Sequence, residues 1–293
     1  MILELEIGGF RVALRESEGR PLVDWPAQSY ELFSVPPSAR PDLSFDARVV
    51  ERLPAFERGR LIYDGGPEQW RLYERGDELL LVAPKPGSDE PQHAAVLSRD
   101  YSAGEIFTAQ GSSWSPSEVI TPIVEACLLS RLARRGGLLL HAAGIDFRGE
   151  GLVFTGPSGA GKSTLSGLFT ERGALILNDE RVIVLDPAGA PVVHGTPWCG
   201  TNPEMRKASA PLRGIYFIKH GRENRLRALS LAEATALCAR QAFLPQWDAE
   251  GMAATLASAE ALCRRLGARE YAFRNDASAV EALVGEAGPV ALR

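Results

Sequence analysis

The first part of the chain, up to about residue 112, alternates apolar and polar residues in short runs that are separated by turn residues. Such runs predict β-strands, because successive side chains of a strand point to opposite faces. The predicted strands are residues 3–7, 10–14, 60–63, 70–73, 78–82 and 105–109. The segment 36–46 is rich in proline and serine and predicts an irregular loop. We therefore predict an antiparallel β-rich domain over residues 1–112.

A long helix is predicted after this region. Ser115-Pro-Ser-Glu118 has the features of a helix start, with a hydroxyl cap, proline in the first turn and an acidic residue near the positive end of the dipole. Apolar residues then recur on one helical face as far as Arg135. Gly136-Gly137 predicts the end of the helix.

Beyond residue 137, longer apolar runs alternate with segments of helical periodicity. The predicted strands are residues 138–143, 151–155, 174–177, 182–185 and 214–218. The predicted helices are residues 231–243, 252–266 and 277–283. This alternation predicts a second domain over residues 113–293, an α/β domain with a mixed sheet and flanking helices.

Composition narrows the classes of partner. The chain has 293 residues, of which 45% are hydrophobic and 24% charged, and a formal net charge of −5. The acidic balance argues against a nucleic-acid surface. The N-terminus lacks the basic start of a signal peptide, and no apolar run approaches the length of a bilayer span, so we expect no membrane partner. The four cysteines form no C-x-x-C pair, which is typical of a reduced, cytoplasmic protein.

One segment carries a strong chemical signal. Residues 156–163 fit the phosphate-binding pattern G-x-x-x-x-G-K-[ST], between a predicted strand and a predicted helix. Glycines let backbone N–H groups turn toward a polyphosphate, and the following helix N-terminus favours an anion. The predicted nucleotide-binding residues are Gly156, Pro157, Ser158, Gly159, Ala160, Gly161, Lys162, Ser163 and Thr164. We expect ATP or another nucleoside triphosphate, with Mg²⁺ bound by the Ser163 hydroxyl.

Two further positions are candidates for the same site. Asp179 follows the predicted strand 174–177 within twenty residues of the loop, and enzymes with a phosphate-binding loop hold a metal ion at an acidic residue of this kind. His141 ends a predicted apolar strand before the loop. The alternatives are a buried core histidine for His141, a turn residue for Asp179, and for Glu180 a surface ion pair with Arg181.

These features together resemble a known family. The run of residues 140–166, LHAAGIDFRGEGLVFTGPSGAGKSTLS, with NDERV at 178–182, is similar to the catalytic core of the HPr serine kinase/phosphorylases and, more distantly, of ATP-dependent phosphoenolpyruvate carboxykinases. The resemblance covers residues 138 to about 185 and implies a P-loop core of that type. It implies that His141 lies beside the catalytic acid or binds metal, and that Asp179 and Glu180 hold metal and take the proton of an acceptor serine. The carboxykinase register would bring Asn178 into the acidic set.

Departures from the family restrict the expected function. Thr164 stands where the HPr kinases carry a glutamate, and the later family segment PVRPGRN has no counterpart. What remains resembles smaller HPr-kinase-like proteins, some of which phosphorylate serines of ribosomally made precursor peptides. We expect a kinase that acts on a hydroxyl, above all a serine of a protein or peptide, with His141, Lys162, Asp179 and Glu180 as the catalytic residues.

Two other functions stay open at this point: a nucleotide-dependent binding module that transfers nothing, and a kinase for a small molecule. The domain over residues 1–112 is expected to recognise the acceptor or to form an interface, and a homo-oligomer is left open. Residues 194–202 are dense in turn formers around Trp198, which is typical both of a pocket-shaping loop and of a purely structural one.

Overall fold

The computed structural model describes residues 2–16, 28–66, 69–84, 90–110, 116–186, 189–200 and 202–286. The chain divides into two compact units of a mixed α/β protein. The first contains Met1–Arg134 and Leu244–Met252, and the second Arg135–Phe243 and Ala253–Arg293. The contacts thus group the helix after residue 115 with the first unit. A division by contacts does not test which segment folds or binds by itself, so the predicted boundary at residue 112 stays a prediction.

Nine strands of the described first unit form one sheet. They are β1 (Ile2–Ile7), β2 (Phe10–Glu16), β3 (Ser34–Val35), β4 (Leu43–Val50), β5 (Arg60–Asp64), β6 (Arg71–Arg75), β7 (Glu78–Pro84), β8 (Pro91–Ser98) and β9 (Ala103–Ala109). Their order across the sheet is β3-β1-β2-β4-β9-β8-β7-β6-β5. All six predicted strands are confirmed.

The prediction for this unit is corrected at two points. Strand β4 pairs in parallel with both β2 and β9, so the sheet is not purely antiparallel. The segment 36–46 is not irregular throughout, because β4 begins at Leu43. Leu43, Phe45 and Ala47 alternate into the core. The prolines just before them conceal this short alternation in the sequence.

Two helices belong to the first unit: α1 (Gln28–Glu31) and α2 (Pro116–Arg134). Ser115, the predicted cap of α2, lies outside the described residues. The segment Leu244–Met252 is held within the same unit. Trp247 donates from Nε1 to Ser130 Oγ of α2 at 2.9 Å, and its ring packs against the rings of Tyr63 and Trp70.

The second unit is built on strands with helices at their sides. The strands are β10 (Leu138–Phe147), β11 (Glu150–Thr155), β12 (Leu175–Asn178), β13 (Arg181–Leu185), β14 (Val192–Gly195), β15 (Ser209–His220), β16 (Arg225–Ala228) and β17 (Arg269–Phe273). The helices are α3 (Lys162–Thr170), α4 (Leu231–Gln241), α5 (Ala249–Leu266), whose first turn is grouped with the first unit, and α6 (Ser278–Glu286). Among the described residues, no helix has the length and apolar character needed to cross a membrane.

Strand pairing in the second unit closes a ring. β10 pairs with β11 and β13, β13 with β14, β14 with the start of β15, and the rest of β15 with β11. β12 and β13 run antiparallel along one edge of β10 as a single interrupted strand, with Asn178 opposite Gly144 and Arg181 opposite His141. Asp179 and Glu180 occupy the interruption.

The position of His141 in its strand corrects the prediction. The strand does not end at His141 but continues through Phe147. Gly144 and Asp146 conceal this continuation in the sequence, since both favour turns. Here β10 has strand neighbours on both edges, and the Asp146 carboxylate accepts from Gly149 N at 2.8 Å in the turn that follows.

Candidate active site

The glycine-rich loop, residues 156–161, lies beside His141 because of the strand register. β11 runs antiparallel to β10 and ends with Thr155 opposite Ala142, so the loop leaves the sheet next to His141. Thr155 Oγ1 donates to the His141 carbonyl at 2.9 Å. The sequence signal for a strand, a loop and a helix in this order is thus matched by the structure.

Glycine is required in the loop for both backbone angle and space. Gly159 and Gly161 have φ values of 77° and 96°, in the left-handed region that side chains disfavour. A Cβ on Gly161 would lie 2.7 Å from Phe273 Cζ and 2.8 Å from His220 Cε1. Gly161 also caps α3 without a side-chain hydrogen bond, which leaves the N–H groups of the first turn free of a cap side chain.

Lys162 connects the loop to His141. Its side chain is largely buried, with 9% of the residue exposed, and Nζ lies 2.8 Å from His141 Nε2 and 3.5 Å from the Gly156 carbonyl oxygen. An ammonium group only donates, so Nε2 is the acceptor and the ring proton resides on Nδ1. Burial lowers the pKa of Lys162, while Glu180 and Asp179 act in the opposite direction.

The imidazole of His141 is therefore held between a cation and a carboxylate. His141 Nδ1 lies 3.3 Å from Glu180 Oε1, on the side of the ring away from Lys162. Burial lowers the pKa of His141, and the Lys162 and Arg181 charges lower it further against the attraction of Glu180. Lys162, His141 and Glu180 thus form a continuous chain in which the histidine stays neutral near pH 7.

Asp179 lies next to this chain but contacts other groups. Only 4% of it is exposed. Its Oδ1 lies 3.5 Å from Ser166 Oγ, one turn of α3 after Lys162, and its Oδ2 accepts from Asn202 Nδ2 at 3.1 Å. The four predicted catalytic residues are thus brought together in one region. Ser163, in contrast, is exposed at the start of α3, and Thr164 is half-buried behind it.

The alternative for Glu180, an ion pair with Arg181, stays a prediction. Glu180 pairs with His141, while the Arg181 guanidinium lies over the Phe243 ring, 4.9 Å from its centroid. Sequence reasoning gave no role to Ser166 or Asn202. Ser166 carries a weak signal, because it follows Lys162 by one helical turn. Asn202 carries one only as the last residue of the turn-rich segment 194–202.

The donor set suits Mg²⁺. The groups near the loop are a carboxylate and a hydroxyl, which are hard oxygen ligands, and Mg²⁺ bound with a nucleotide takes its other ligands from phosphates and water. No group of three or more histidine, cysteine or acidic residues that would hold a metal by itself is present among the described residues.

The protonation of His141 gives a first testable prediction. Its imidazole is expected to titrate below the ordinary value of about 6.5. The unfolded chain then takes up this proton at a higher pH than the folded protein, so this residue lowers the free energy of unfolding as the pH falls through 6.5. The measurement is an NMR titration of the histidine ring signals, assigned with His141→Gln. Lys162→Met should raise the midpoint, and a wild-type midpoint above 6.5 would contradict the prediction.

Comparison with known proteins agrees with the resemblance stated above. The HPr kinase/phosphorylases of Limosilactobacillus reuteri strain DSM 20016 and of Limosilactobacillus reuteri subsp. reuteri strain JCM 1112 are each 32% identical over 108 residues, which is 37% of this chain. The chain spans 31% of the length of these relatives. The predicted similarity to HPr kinase/phosphorylases is thereby confirmed. The more distant similarity to the carboxykinases stays a prediction.

The chain also matches a solved structure and a family model. The HPr(Ser) kinase/phosphatase from Coxiella burnetii aligns with a TM-score of 0.30 at 11% identity, over 51% of this chain and 95% of that one. The model of the family described as SynChlorMet cassette protein ScmC matches residues 115–266, over half of the 293 residues and including the whole candidate site. The chain therefore belongs to the SynChlorMet cassette protein ScmC family.

Proposed function

We propose that this protein is an ATP- and Mg²⁺-dependent kinase that transfers the γ-phosphoryl group to a hydroxyl, above all a serine of a protein or peptide. The observation that carries the proposal is the chain of contacts from Lys162 through His141 to Glu180 beside the glycine-rich loop. It combines a cation for the phosphates with a carboxylate for the acceptor. A module that only binds nucleotide has no use for the second part.

Phosphoryl transfer requires in-line positioning and neutralisation of charge. The loop N–H groups and Lys162 are suited to hold the β- and γ-phosphates, and the P-loop core of the HPr kinase type is part of this proposal. Ser163 and Asp179 would hold Mg²⁺, which when bound neutralises charge on the phosphates. Pro157, Ser158 and Gly159 are exposed, so the loop is open to a ligand.

We propose that the carboxylate of Glu180 accepts the proton of the acceptor hydroxyl. Its side chain is 34% exposed, whereas Asp179 is nearly fully buried and both of its oxygens are close to other groups. As the serine oxygen bonds to phosphorus and the bond to the leaving ADP breaks, the serine proton passes to the Glu180 carboxylate. The neutral imidazole of His141, whose Nδ1 lies 3.3 Å from Glu180 Oε1, would orient this carboxylate.

Roles for the remaining parts belong to the same proposal. The β-rich region over residues 1–112 recognises the acceptor or forms an interface, which includes an interface between copies of this chain. The protein acts in the cytoplasm, without nucleic acid or membrane as a partner. The role given to residues 1–112 is supported by the extent of the family model, which begins at residue 115 and includes the whole candidate site.

The test is a transfer assay with γ-labelled ATP, Mg²⁺ and peptides encoded beside the gene. Label on a serine of one peptide, lost when that serine is replaced by alanine, is the expected result. Label on a metabolite would favour the small-molecule kinase. Tight ATP binding without any labelled product would favour the binding module, and the proposed transfer would then be wrong.

A further inference from the structure

A buried asparagine, Asn178, stabilises the turn between β12 and β13. The two acidic residues, Asp179 and Glu180, lie in this turn. Asn178 has no exposed surface. Its Oδ1 accepts from the N–H groups of Glu180 and Arg181, both at 2.7 Å, which turns the chain at these residues. Its Nδ2 donates to the carbonyls of Thr196 and Trp198 at 3.0 and 3.1 Å. All four hydrogen-bonding positions of the amide are therefore used.

The segment that Asn178 contacts, residues 196–200, is also fixed by its own side chains. Thr196 is fully buried, and its hydroxyl donates to the Arg181 carbonyl at 2.8 Å. Trp198 is 4% exposed. The chain returns to the same place shortly afterwards, because Arg206 N donates to the Leu177 carbonyl at 2.8 Å. Residues 196–206 thus begin and end on the strand that carries Asp179 and Glu180.

Asn202 lies within this excursion and reaches Asp179. Its Nδ2 donates to Asp179 Oδ2 at 3.1 Å, and its Oδ1 accepts from Glu204 N at 3.1 Å. The second bond fixes which end of the amide faces Asp179, because only the oxygen can accept. Asn202 is half-buried, so its side chain can be removed without opening the core.

The same excursion lies against the other acidic residue. A Cβ on Gly200 would lie 2.9 Å from Glu180 Oε2 and 3.0 Å from its Cδ. Because glycine has no side chain, the Glu180 carboxylate can occupy the space next to residue 200. One short segment thus borders both carboxylates of the candidate site, one by a hydrogen bond and one by close approach.

We infer that Asn202 is a positioning residue for Asp179 and that Asn178 holds the segment which carries it. The inference rests on the proposed function, since it takes Asp179 as a ligand of Mg²⁺ in the nucleotide complex. The hydrogen bond from the Asn202 side chain occupies one lone pair of Asp179 Oδ2 and fixes the rotation of the carboxylate. Oδ1, which lies 3.5 Å from Ser166 Oγ, then faces α3, the helix that begins at the loop. Partners of this kind typically contribute 10–100-fold to metal affinity.

The experiment measures the binding of Mn²⁺, in place of Mg²⁺, to the full-length protein saturated with ATP, by the EPR signal of free Mn²⁺. Asn202→Ala is expected to weaken Mn²⁺ binding by about 10–100-fold. ATP binding in EDTA and the melting temperature should stay near those of the wild type. In transfer assays the Mg²⁺ concentration for half-maximal rate should rise by a similar factor.

The matched control is Asn224→Ala. Asn224 also makes two hydrogen bonds in the second unit, to Ser278 Oγ at 2.7 Å and from Arg274 N at 2.8 Å, but on other elements. The Asn224→Ala variant should bind Mn²⁺ with the same affinity as the wild type. Equal Mn²⁺ affinity in Asn202→Ala and the wild type would overturn the inference while the proposed function stands. Absence of Mn²⁺ binding to the wild-type ATP complex would overturn both.

Discussion

Replacing Lys162 by alanine is expected to reduce phosphoryl transfer by at least about 10²–10³-fold and to leave the protein folded. The charge at Nζ is placed where the outer phosphates are proposed to lie, and no other lysine contacts His141 among the described residues. Stability should change little, because the removed cation is one that burial already disfavours, as its lowered pKa indicates. Ser163→Ala should likewise reduce phosphoryl transfer and change stability little.

The measurement is the transfer rate at saturating ATP, with the melting temperature in the absence of nucleotide. Lys162→Arg should not restore the rate, because a planar guanidinium does not fit the space of an ammonium group. Lys219→Ala is the control, since Lys219 is an exposed lysine paired with Glu270. Full transfer activity in Lys162→Ala would remove the loop from the mechanism.

The second large effect is expected from Asp179→Asn. This change keeps the shape of the side chain but removes the charge, so transfer should fall by at least about 100-fold. The melting temperature should stay equal or rise, because the lost charge is buried. Steady-state rates at increasing Mg²⁺ concentration are the measurement, and excess Mg²⁺ should restore part of the rate.

Combining Asp179→Asn with His141→Ala separates the kinase from its rival. A kinase loses all product in the double variant, whereas a nucleotide-dependent binding module keeps its partner. Asp276→Asn is the control, because Asp276 accepts from Ser278 N at 3.0 Å at the start of α6 and lies on elements other than those of the acidic pair. Unchanged transfer in the double variant would exclude both residues from the chemistry.

The glycine-rich loop could be predicted because its chemistry is contiguous in the sequence. The same holds for Asp179 and Glu180, which directly follow a buried run. The turn at Asn178 is also local, since its side chain accepts from residues two and three positions later. In contrast, the bond from Asn202 to Asp179 joins residues 23 positions apart and depends on where the excursion returns to β12. No local pattern contains that information.

The strands of the second unit that the sequence does not predict have a related cause. β14, β16 and β17 contain charged or small residues, such as Arg225 and Arg269, and their strand character comes from the neighbours they pair with. The sequence places the end of the His141 strand too early for the same reason. Its strand continues past residue 143 because partners lie on both edges of β10, which overrides the local preference of Gly144 and Asp146 for a turn.

The segment Leu244–Met252 has a practical consequence for dissecting the protein. Its contacts are with the first unit, where Trp247 packs on Tyr63 and Trp70, although it lies in the sequence between two parts of the second unit. A fragment that starts at residue 113 would keep α2 and Trp247 but lose the sheet residues against which Trp247 packs. A single cleavage point therefore cannot separate the units cleanly, and exposed aromatic surface in such a fragment would favour aggregation. The function of residues 1–112 is therefore better tested by substitutions in the intact chain than by truncation.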